Sequence, residues 1–249
     1  MPNAQNATRI HWTGTSLTDP KNPAGSLPTR SGGFIDQARA QPISFGAAPI
    51  LSPVPAKLGQ AIQPYAPYPV QGRRQVITTY GVGGRVIAGL ASDLQASIYN
   101  WKPDICVIEI STNDFSAPTN VTPGGAFQVS GAAVLDGIFQ NLPGCQVIFL
   151  SVTVRGETVA GSNFADGTDT WAGNLRIQEL CNGTSSVGTF VSKYPTFCTY
   201  CDVIGPALAY CIANGVASTP KFLTSDSLHL SNTGCALTSA QPMKKIVFT

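Results

Sequence analysis

Two short polar segments near opposite ends of the sequence contain the residues best suited to catalysis. In the first, Thr224–Leu230, Asp226 stands three positions before His229, which is one of only two histidines in the chain. A carboxylate at this spacing can hold an imidazole in one tautomer, and the imidazole can then act as a general base for a nucleophile. Taken alone, the segment equally fits a surface histidine beside a solvated aspartate.

The second segment, Ile10–Thr18, is typical of a short strand that delivers Ser16 onto a tight turn at Gly14. A serine presented in this way is the nucleophile that an acid–base pair can activate. Ser16 could instead cap a helix. His11 lies within the strand, and we predict a core or sheet-face residue there rather than a catalyst.

The composition argues against several classes of protein. The chain has 249 residues, of which 43% are hydrophobic and 11% charged, and its net charge is +2. Without a cluster of Lys or Arg, this weak charge argues against nucleic acid as a partner. No apolar stretch approaches the length of a membrane span, and residues 1–6 lack the features of a signal peptide. The low charge favours an extracellular or virion-associated location over the cytoplasm. A signal peptide that was removed or replaced, or another export route, stays open, as does the oligomeric state.

The apolar pattern predicts strands that alternate with helices. Five short apolar runs bounded by turn residues are typical of strands buried on both faces of a parallel sheet: Thr8–Thr13, Gln75–Tyr80, Ile105–Ile110, Gln146–Ser151 and Phe197–Val203. Helical periodicity covers Val54–Ile62, Ile87–Trp101 and Leu135–Leu142, and a last helix is predicted after Asn232. This alternation predicts one α/β domain over residues 1–249, with a doubly wound, flavodoxin-like parallel sheet and helices on both faces. Residues 19–72 hold ten of the nineteen prolines and are predicted to form a surface insertion.

The seven cysteines predict a structural role rather than a metal or redox site. Five fall in the last third of the chain, where one or two disulfides are expected with at least one thiol left over: Cys181, Cys198, Cys201, Cys211 and Cys235. Cys198 and Cys201 have the spacing of a zinc or redox half-site, but in a strand such positions face opposite sides. A second pair at metal spacing is missing. We therefore expect one or both to be buried, and no metal or cofactor.

Four polar segments each follow a predicted strand, and open parallel sheets bind ligands outside the carboxyl ends of their strands. These segments are Gly14–Ser16, Gly81–Gly84, Ser111–Asp114 and Asp226–His229. They supply a nucleophile, a backbone donor, a side-chain amide donor and an acid–base pair, which together suit acyl transfer. Singly, Gly81–Gly84 could be any strand-to-helix turn, although it does not meet the G-x-G-x-x-G spacing of a dinucleotide site. Asn113 could likewise be a turn residue or a helix N-cap.

In these four segments the chain resembles the SGNH, or GDSL-type, hydrolase superfamily. The resemblance covers most of the chain except the proline-rich insertion, and it implies a five-stranded sheet of order 2-1-3-4-5. It also implies that Ser16 is the nucleophile, His229 the base and Asp226 the orienting partner of the base.

The resemblance further implies an oxyanion hole made by the N–H of Ser16, the N–H of Gly84 and the side chain of Asn113, with Gly83 as the alternative to Gly84. Two positions depart from the family pattern. Thr15 stands where the family usually has Asp, and Ser111 stands where it usually has Gly. Thr15 can still form hydrogen bonds, so these departures affect the loop geometry rather than the catalytic triad.

The sequence thus predicts a serine-dependent carboxylic ester hydrolase, either a short-chain esterase or a carbohydrate O-acetylesterase. Its expected substrate is a small acyl ester or an acetylated glycan. The main alternative is a non-catalytic carbohydrate-binding or virion surface protein on the same fold. A zinc hydrolase that uses His11, His229 and cysteines fails on the number and spacing of its ligands.

Overall fold

The computed structural model describes residues 8–15, 75–110, 113–116, 118–152, 170–213, 241–242 and 245. This part of the chain contains one five-stranded parallel sheet of order β2-β1-β3-β4-β5. Its strands are β1 (Thr8–Gly14), β2 (Gln75–Gly81), β3 (Ile105–Glu109), β4 (Gln146–Leu150) and β5 (Cys198–Cys201). The predicted strands and their order are confirmed.

Six α-helices and four 3-10 segments connect these strands in the described ranges. The helices are α1 (Ile87–Ser92), α2 (Leu94–Ser97), α3 (Ala126–Asn141), α4 (Thr170–Cys181), α5 (Tyr194–Phe197) and α6 (Ile204–Ala213). The 3-10 segments are Tyr99–Trp101, Asp114–Ser116, Pro118–Val121 and Val191–Lys193. The predicted helix Val54–Ile62, the insertion at 19–72 and the segment 231–240 lie outside the described residues.

Burial along the strands shows that the sheet is covered on both faces. All five residues of β3 are buried, and β1 is buried from Ile10 to its end. Successive side chains of a strand point to opposite faces, so a strand buried at every position has packed layers on both sides. The doubly wound α/β architecture predicted from the apolar runs is therefore confirmed.

The apolar stripe Ile87–Trp101 does not form the single helix that its periodicity suggests. The chain leaves the helical conformation at Asp93 (φ −129°, ψ 36°), between α1 and α2. The carboxylate of Asp93 accepts hydrogen bonds from Arg85 Nη2 at 2.9 Å and from Ser97 Oγ at 3.1 Å. Aspartate forms such bonds at the expense of helical backbone, which accounts for the break.

Five cysteines in the described ranges are buried, and no disulfide joins any two of them, so the expected disulfides do not appear among these five. These cysteines are Cys106, Cys145, Cys181, Cys198 and Cys201. Cys198 Sγ lies 3.4 Å from Cys181 Sγ, and burial raises the pKa of Cys198 well above its ordinary value. Cys198 and Cys201 are both buried, as predicted. Within the described ranges no three His, Cys, Asp or Glu residues are grouped to hold a metal ion.

None of the helices in the described ranges is both long and apolar enough to cross a lipid bilayer.

His11 is a neutral structural residue in the interior of the sheet. It is fully buried, its Nε2 lies 2.6 Å from Ser97 O, and its Nδ1 lies 2.8 Å from Thr78 Oγ1. Because a carbonyl only accepts, Nε2 carries the proton and Nδ1 accepts from the threonine hydroxyl. Burial lowers the pKa of His11 from 6.5 to about 4, while the bond to Ser97 opposes the shift. The prediction that His11 is a core residue is confirmed.

We predict that His11 makes the protein lose stability in acid. Its pKa is about 4 in the fold and 6.5 as the ordinary value, so the unfolded chain binds the proton more tightly. The stabilising contribution is therefore present above pH 6.5 and is lost as the pH falls toward 4, by roughly 3 kcal/mol. Denaturant unfolding of wild type and His11→Gln from pH 4 to 7.5 measures this. Parallel stability curves for the two proteins would contradict it.

Candidate active site

The strand order places the ends of three strands at one point of the sheet. β1 lies between β2 and β3, so the connections from β1 and β3 leave on opposite sides of a switch point. Gly14, at the end of β1, pairs with Gly81 of β2 on one side and with Glu109 of β3 on the other. Ligands of open α/β sheets bind in the crevice at such a point. The first two predicted site segments therefore begin in this row, and β3, which leads to the third segment, ends in it.

Thr15 follows β1 and is fixed to the end of β3 by two hydrogen bonds. Its backbone N–H and its hydroxyl Oγ1 both donate to Glu109 Oε2, at 3.2 Å and 2.8 Å. Thr15 and Glu109 are both buried. Thr15 thus forms a hydrogen bond where the family has aspartate, but its partner is 94 residues away in sequence. Ser16 comes directly after this anchored residue and lies outside the described residues.

The loop after β2 forms a tight turn beside the end of β1. Val82 N donates to Gly14 O at 3.1 Å, and Arg85 N donates to Val82 O at 3.2 Å. Within this turn Gly84 has φ +70°, a left-handed conformation that favours glycine. Among the described residues, a Cβ added at Gly84 would meet no atom within 4 Å. The described part of the chain therefore leaves space beside the Gly84 backbone.

Asn113 contacts the same turn from the loop that follows β3. Its Nδ2 donates to Arg85 O at 3.0 Å, which places the amide within one residue of Gly84. The structure therefore brings together Gly84 and Asn113, the two predicted oxyanion donors that it describes. Asp226 and His229, like Ser16, lie outside the described residues, so their placement stays a prediction.

The side chain of Arg85 fixes the turn that contains Gly84. It is buried, its Nη2 donates to Asp93 Oδ2 at 2.9 Å and to Gly89 O at 3.1 Å, and its guanidinium lies 5.6 Å from the centre of the Tyr80 ring. A partly buried, hydrogen-bonded ion pair of this kind restrains a loop more than an exposed pair does. The carbonyl that Asn113 contacts is thus held in place.

Asp114 holds the start of α1 with a carboxyl group that titrates near neutral pH. Ile87 N donates to both of its oxygens, Oδ1 and Oδ2, at 3.0 Å each. Burial and, to a lesser extent, the charge of Glu109 raise the pKa of Asp114 from 3.8 to about 7, while the Ile87 N–H opposes the shift. Asp114, which follows Asn113, therefore joins the loop after β3 to the start of α1.

Asp114 belongs to the predicted segment Ser111–Asp114 but was given no role there, and Glu109 was not predicted to take part in this arrangement. A usable signal was present for Glu109, because it is the only charged residue of the strand Ile105–Glu109. A carboxylate in a fully buried strand requires hydrogen-bond donors, so it marks a polar contact of the fold. The identity of its partner, Thr15, could not be read from spacing.

A separate open cleft lies at the opposite, amino-terminal end of the strands. It has a volume of about 610 Å³, and its walls include Arg9, Tyr99, Asp104 and Cys145. Burial raises the pKa of the Cys145 thiol to about 12, so this group is no nucleophile at neutral pH. The cleft lies at the other end of the strands from the loops that carry the predicted donors.

No protein-family model matches this chain, and no curated protein matches it either. Solved structures do. An acetyl xylan esterase superposes with a TM-score of 0.62 at 17% identity, covering 96% of this chain and 100% of its own. A catalytic mutant of an acetylxylan esterase from Geobacillus stearothermophilus, with serine replaced by alanine, gives 0.62 at 15%, covering 100% and 98%.

A protein from Parabacteroides merdae described as a GDSL-like lipase gives a TM-score of 0.57 at 15% identity, covering 98% of this chain and 97% of its own. At such identities the likeness establishes the fold. This chain has the fold of the SGNH, or GDSL-like, hydrolases.

We predict that the unfolding free energy of Asp114→Asn increases relative to that of wild type as the pH rises. The pKa of Asp114 is about 7 in the fold and 3.8 as the ordinary value, so the protonated form is favoured by folding. Its contribution is present below pH 3.8 and is lost as the pH rises through 7, a change of about 4 kcal/mol over the whole range. Unfolding free energies of wild type and variant at pH 5 and pH 8 test this. A difference between the two proteins that stays constant with pH would refute it.

Proposed function

We propose that this protein is a metal-independent serine hydrolase of carboxylic esters. Ser16 is the nucleophile, His229 is the general base, and Asp226 orients the imidazole. The oxyanion hole consists of the Ser16 N–H, the Gly84 N–H and the Asn113 side-chain amide. Backbone and amide donors aimed at the developing charge are the largest catalytic contribution in acyl transfer.

The observation that carries this proposal is the hydrogen bond from Asn113 Nδ2 to Arg85 O at 3.0 Å. It fixes the Asn113 amide on the turn that contains Gly84, and a side-chain amide is a donor that can stabilise an oxyanion. The same turn is bonded to Gly14 O, two residues before Ser16. The two proposed donors, Gly84 and Asn113, thus lie near the end of β1, the strand that precedes Ser16. This end of the sheet is the switch point, where such folds bind ligands.

In the first step, Ser16 Oγ forms a bond to the acyl carbon while its proton passes to His229. The carbonyl oxygen becomes an oxyanion, which the N–H groups of Ser16, Gly84 and Asn113 stabilise. Collapse of this intermediate breaks the bond to the alcohol, and the alcohol oxygen takes the proton from His229. The acyl group stays on Ser16 as an ester.

In the second step, His229 takes a proton from water as the water oxygen bonds to the same acyl carbon. The second tetrahedral intermediate uses the same donors. Its collapse breaks the bond to Ser16 Oγ, which regains the proton from His229, and the carboxylic acid leaves. Neither step requires a metal ion or a cofactor.

The substrate class that we propose is a small acyl ester, with an acetylated glycan as the favoured natural form. Val82 and Val86, which flank Gly84 on its turn, are 39% and 38% exposed and offer apolar surface for a short acyl group. Two of the structurally similar proteins are esterases of acetylated xylan. We further propose one domain over residues 1–249, since these likenesses cover 96–100% of the chain.

We predict that Ser16→Ala abolishes hydrolysis of p-nitrophenyl acetate and acetylated xylan, because the nucleophile is deleted. The melting temperature should stay within a few degrees of wild type. The matched control is Ser92→Ala, since Ser92 is an exposed serine whose hydroxyl donates within its own helix to Gly89 O. Activity of Ser16→Ala near the wild-type level would remove Ser16 from the mechanism. A wild type that binds acetylated xylan without turnover would favour the non-catalytic alternative.

Asn113→Ala separates an oxyanion donor from a structural turn residue. The loss of one donor should lower kcat by roughly a hundred- to a thousandfold, about 2.7–4 kcal/mol of transition-state stabilisation. KM should change much less, because the ground-state carbonyl gains little from that donor.

The control for this variant is Asn141→Ala, whose amide donates to Gly137 O at the other end of the sheet. Kinetics and melting temperature are measured on the same preparations. A fall in melting temperature with normal kcat for Asn113→Ala would show that the residue is structural.

A further inference from the structure

We infer that Glu109 is a positioning residue whose buried carboxylate holds Thr15, and through Thr15 the turn that presents Ser16, against the end of β3. This inference rests on the proposed function, since it concerns the nucleophile named there. Glu109 acts through Thr15.

The contact is short, double and buried. Oε2 of Glu109 accepts both the N–H and the O–H of Thr15, at 3.2 Å and 2.8 Å. Thr15 is 1% exposed and Glu109 2% exposed, so water does not compete for these bonds. Hydrogen bonds to an ionised acceptor are about twice as strong as neutral ones. The last backbone N–H before Ser16 is thereby fixed to a neighbouring strand.

The composition of β3 indicates that this carboxylate is retained for the contact. The strand reads Ile-Cys-Val-Ile-Glu, and every one of its residues is buried. A buried charge is strongly unfavourable unless its oxygens accept hydrogen bonds. An apolar residue would suit the core of the sheet better, so the role of Glu109 lies in what it holds.

The loop that carries Asn113 is fixed at both of its ends by carboxyl groups. Glu109, before the loop, bonds to Thr15, while Asp114, at its end, bonds to the N–H of Ile87. Both contacts reach the loops that follow β1 and β2. The spacing between the nucleophile, the Gly84 turn and Asn113 therefore depends on the two carboxyl groups together.

Substitutions at Thr15 test the inference, because Thr15→Val removes the hydroxyl and keeps the shape and the N–H. We expect kcat, expressed per serine titrated with a phosphonate, to fall about ten- to a hundredfold with KM within about threefold. Thr15→Ser should restore kcat to within about threefold of wild type. The matched control is Thr13→Val, since the buried hydroxyl of Thr13 has no hydrogen-bond partner in the described part of the chain; its kcat should be unchanged.

The pair is then tested by a double-mutant cycle. Glu109→Gln should lower kcat, and the double variant Thr15→Val/Glu109→Gln should lose no more than the larger single loss, because both changes break one contact. Multiplicative losses would overturn the inference. So would a Thr15→Val protein with a lower melting temperature but a wild-type kcat per titrated serine, since that result describes a purely structural bond.

One further readout separates this inference from the proposed function. If wild type hydrolyses no ester and the phosphonate labels no serine, the proposed function fails. The contact itself is judged by amide hydrogen exchange at Thr15, which should be at least about tenfold slower in wild type than in Glu109→Gln. Equal exchange rates would overturn the role of Glu109 whatever the protein catalyses.

Discussion

The register of β1 against its two neighbours determines the geometry of the proposed site. Gly14 stands in one row with Gly81 and Glu109, so the chain leaves three strands from nearly the same place. A slip of one residue in either pairing would turn every side chain of the strand to the other face and separate these loops. Such a slip would also break the buried polar contacts of these strands, from His11 to Ser97 and from Thr15 to Glu109.

Buried polar groups collect at this end of the sheet and explain why the loops hold their shape. Thr15, Arg85, Glu109 and Asp114 are all nearly inaccessible to solvent, and each bonds to a residue on another element or loop. At the amino-terminal end, by contrast, the ion pair of Arg9 and Asp104 is nearly half exposed and contributes little to stability. These four desolvated polar groups thus lie where the proposed chemistry requires fixed distances.

Much of the fold could be predicted because the strands are short apolar runs between turn residues, a local signal. The start of β5 was less predictable. The strand was predicted to begin at Phe197, but Phe197 ends the short helix Tyr194–Phe197, which has a proline in its first turn. The helix Thr170–Cys181 was missed because its apolar residues show little helical periodicity. It exposes 47% of Leu175 while burying Asn174 and Arg176, so the pattern of the sequence does not reveal its packed face.

The contacts around the proposed site were less predictable than the fold. Gly84 and Asn113 follow strands, and the bond from Asn113 Nδ2 to Arg85 O joins their loops, while their role as oxyanion donors stays a prediction. The contact of Thr15 with Glu109 joins residues 94 positions apart, and no spacing rule predicts such a pairing. The break at Asp93 likewise depends on Arg85, whose side chain reaches across a turn. Contacts of this kind are set by tertiary packing, which overrides local preference.

The central claim is that the end of β1 delivers a catalytic serine to donors on two neighbouring loops. Its most direct test is to incubate the protein with a serine-directed phosphonate ester and to map the modified peptide by mass spectrometry. The account predicts one adduct, on Ser16, formed more slowly when Asn113 is replaced by alanine, since the phosphonyl oxygen occupies the oxyanion hole. An adduct on another residue, or none in a protein that hydrolyses esters, would contradict it.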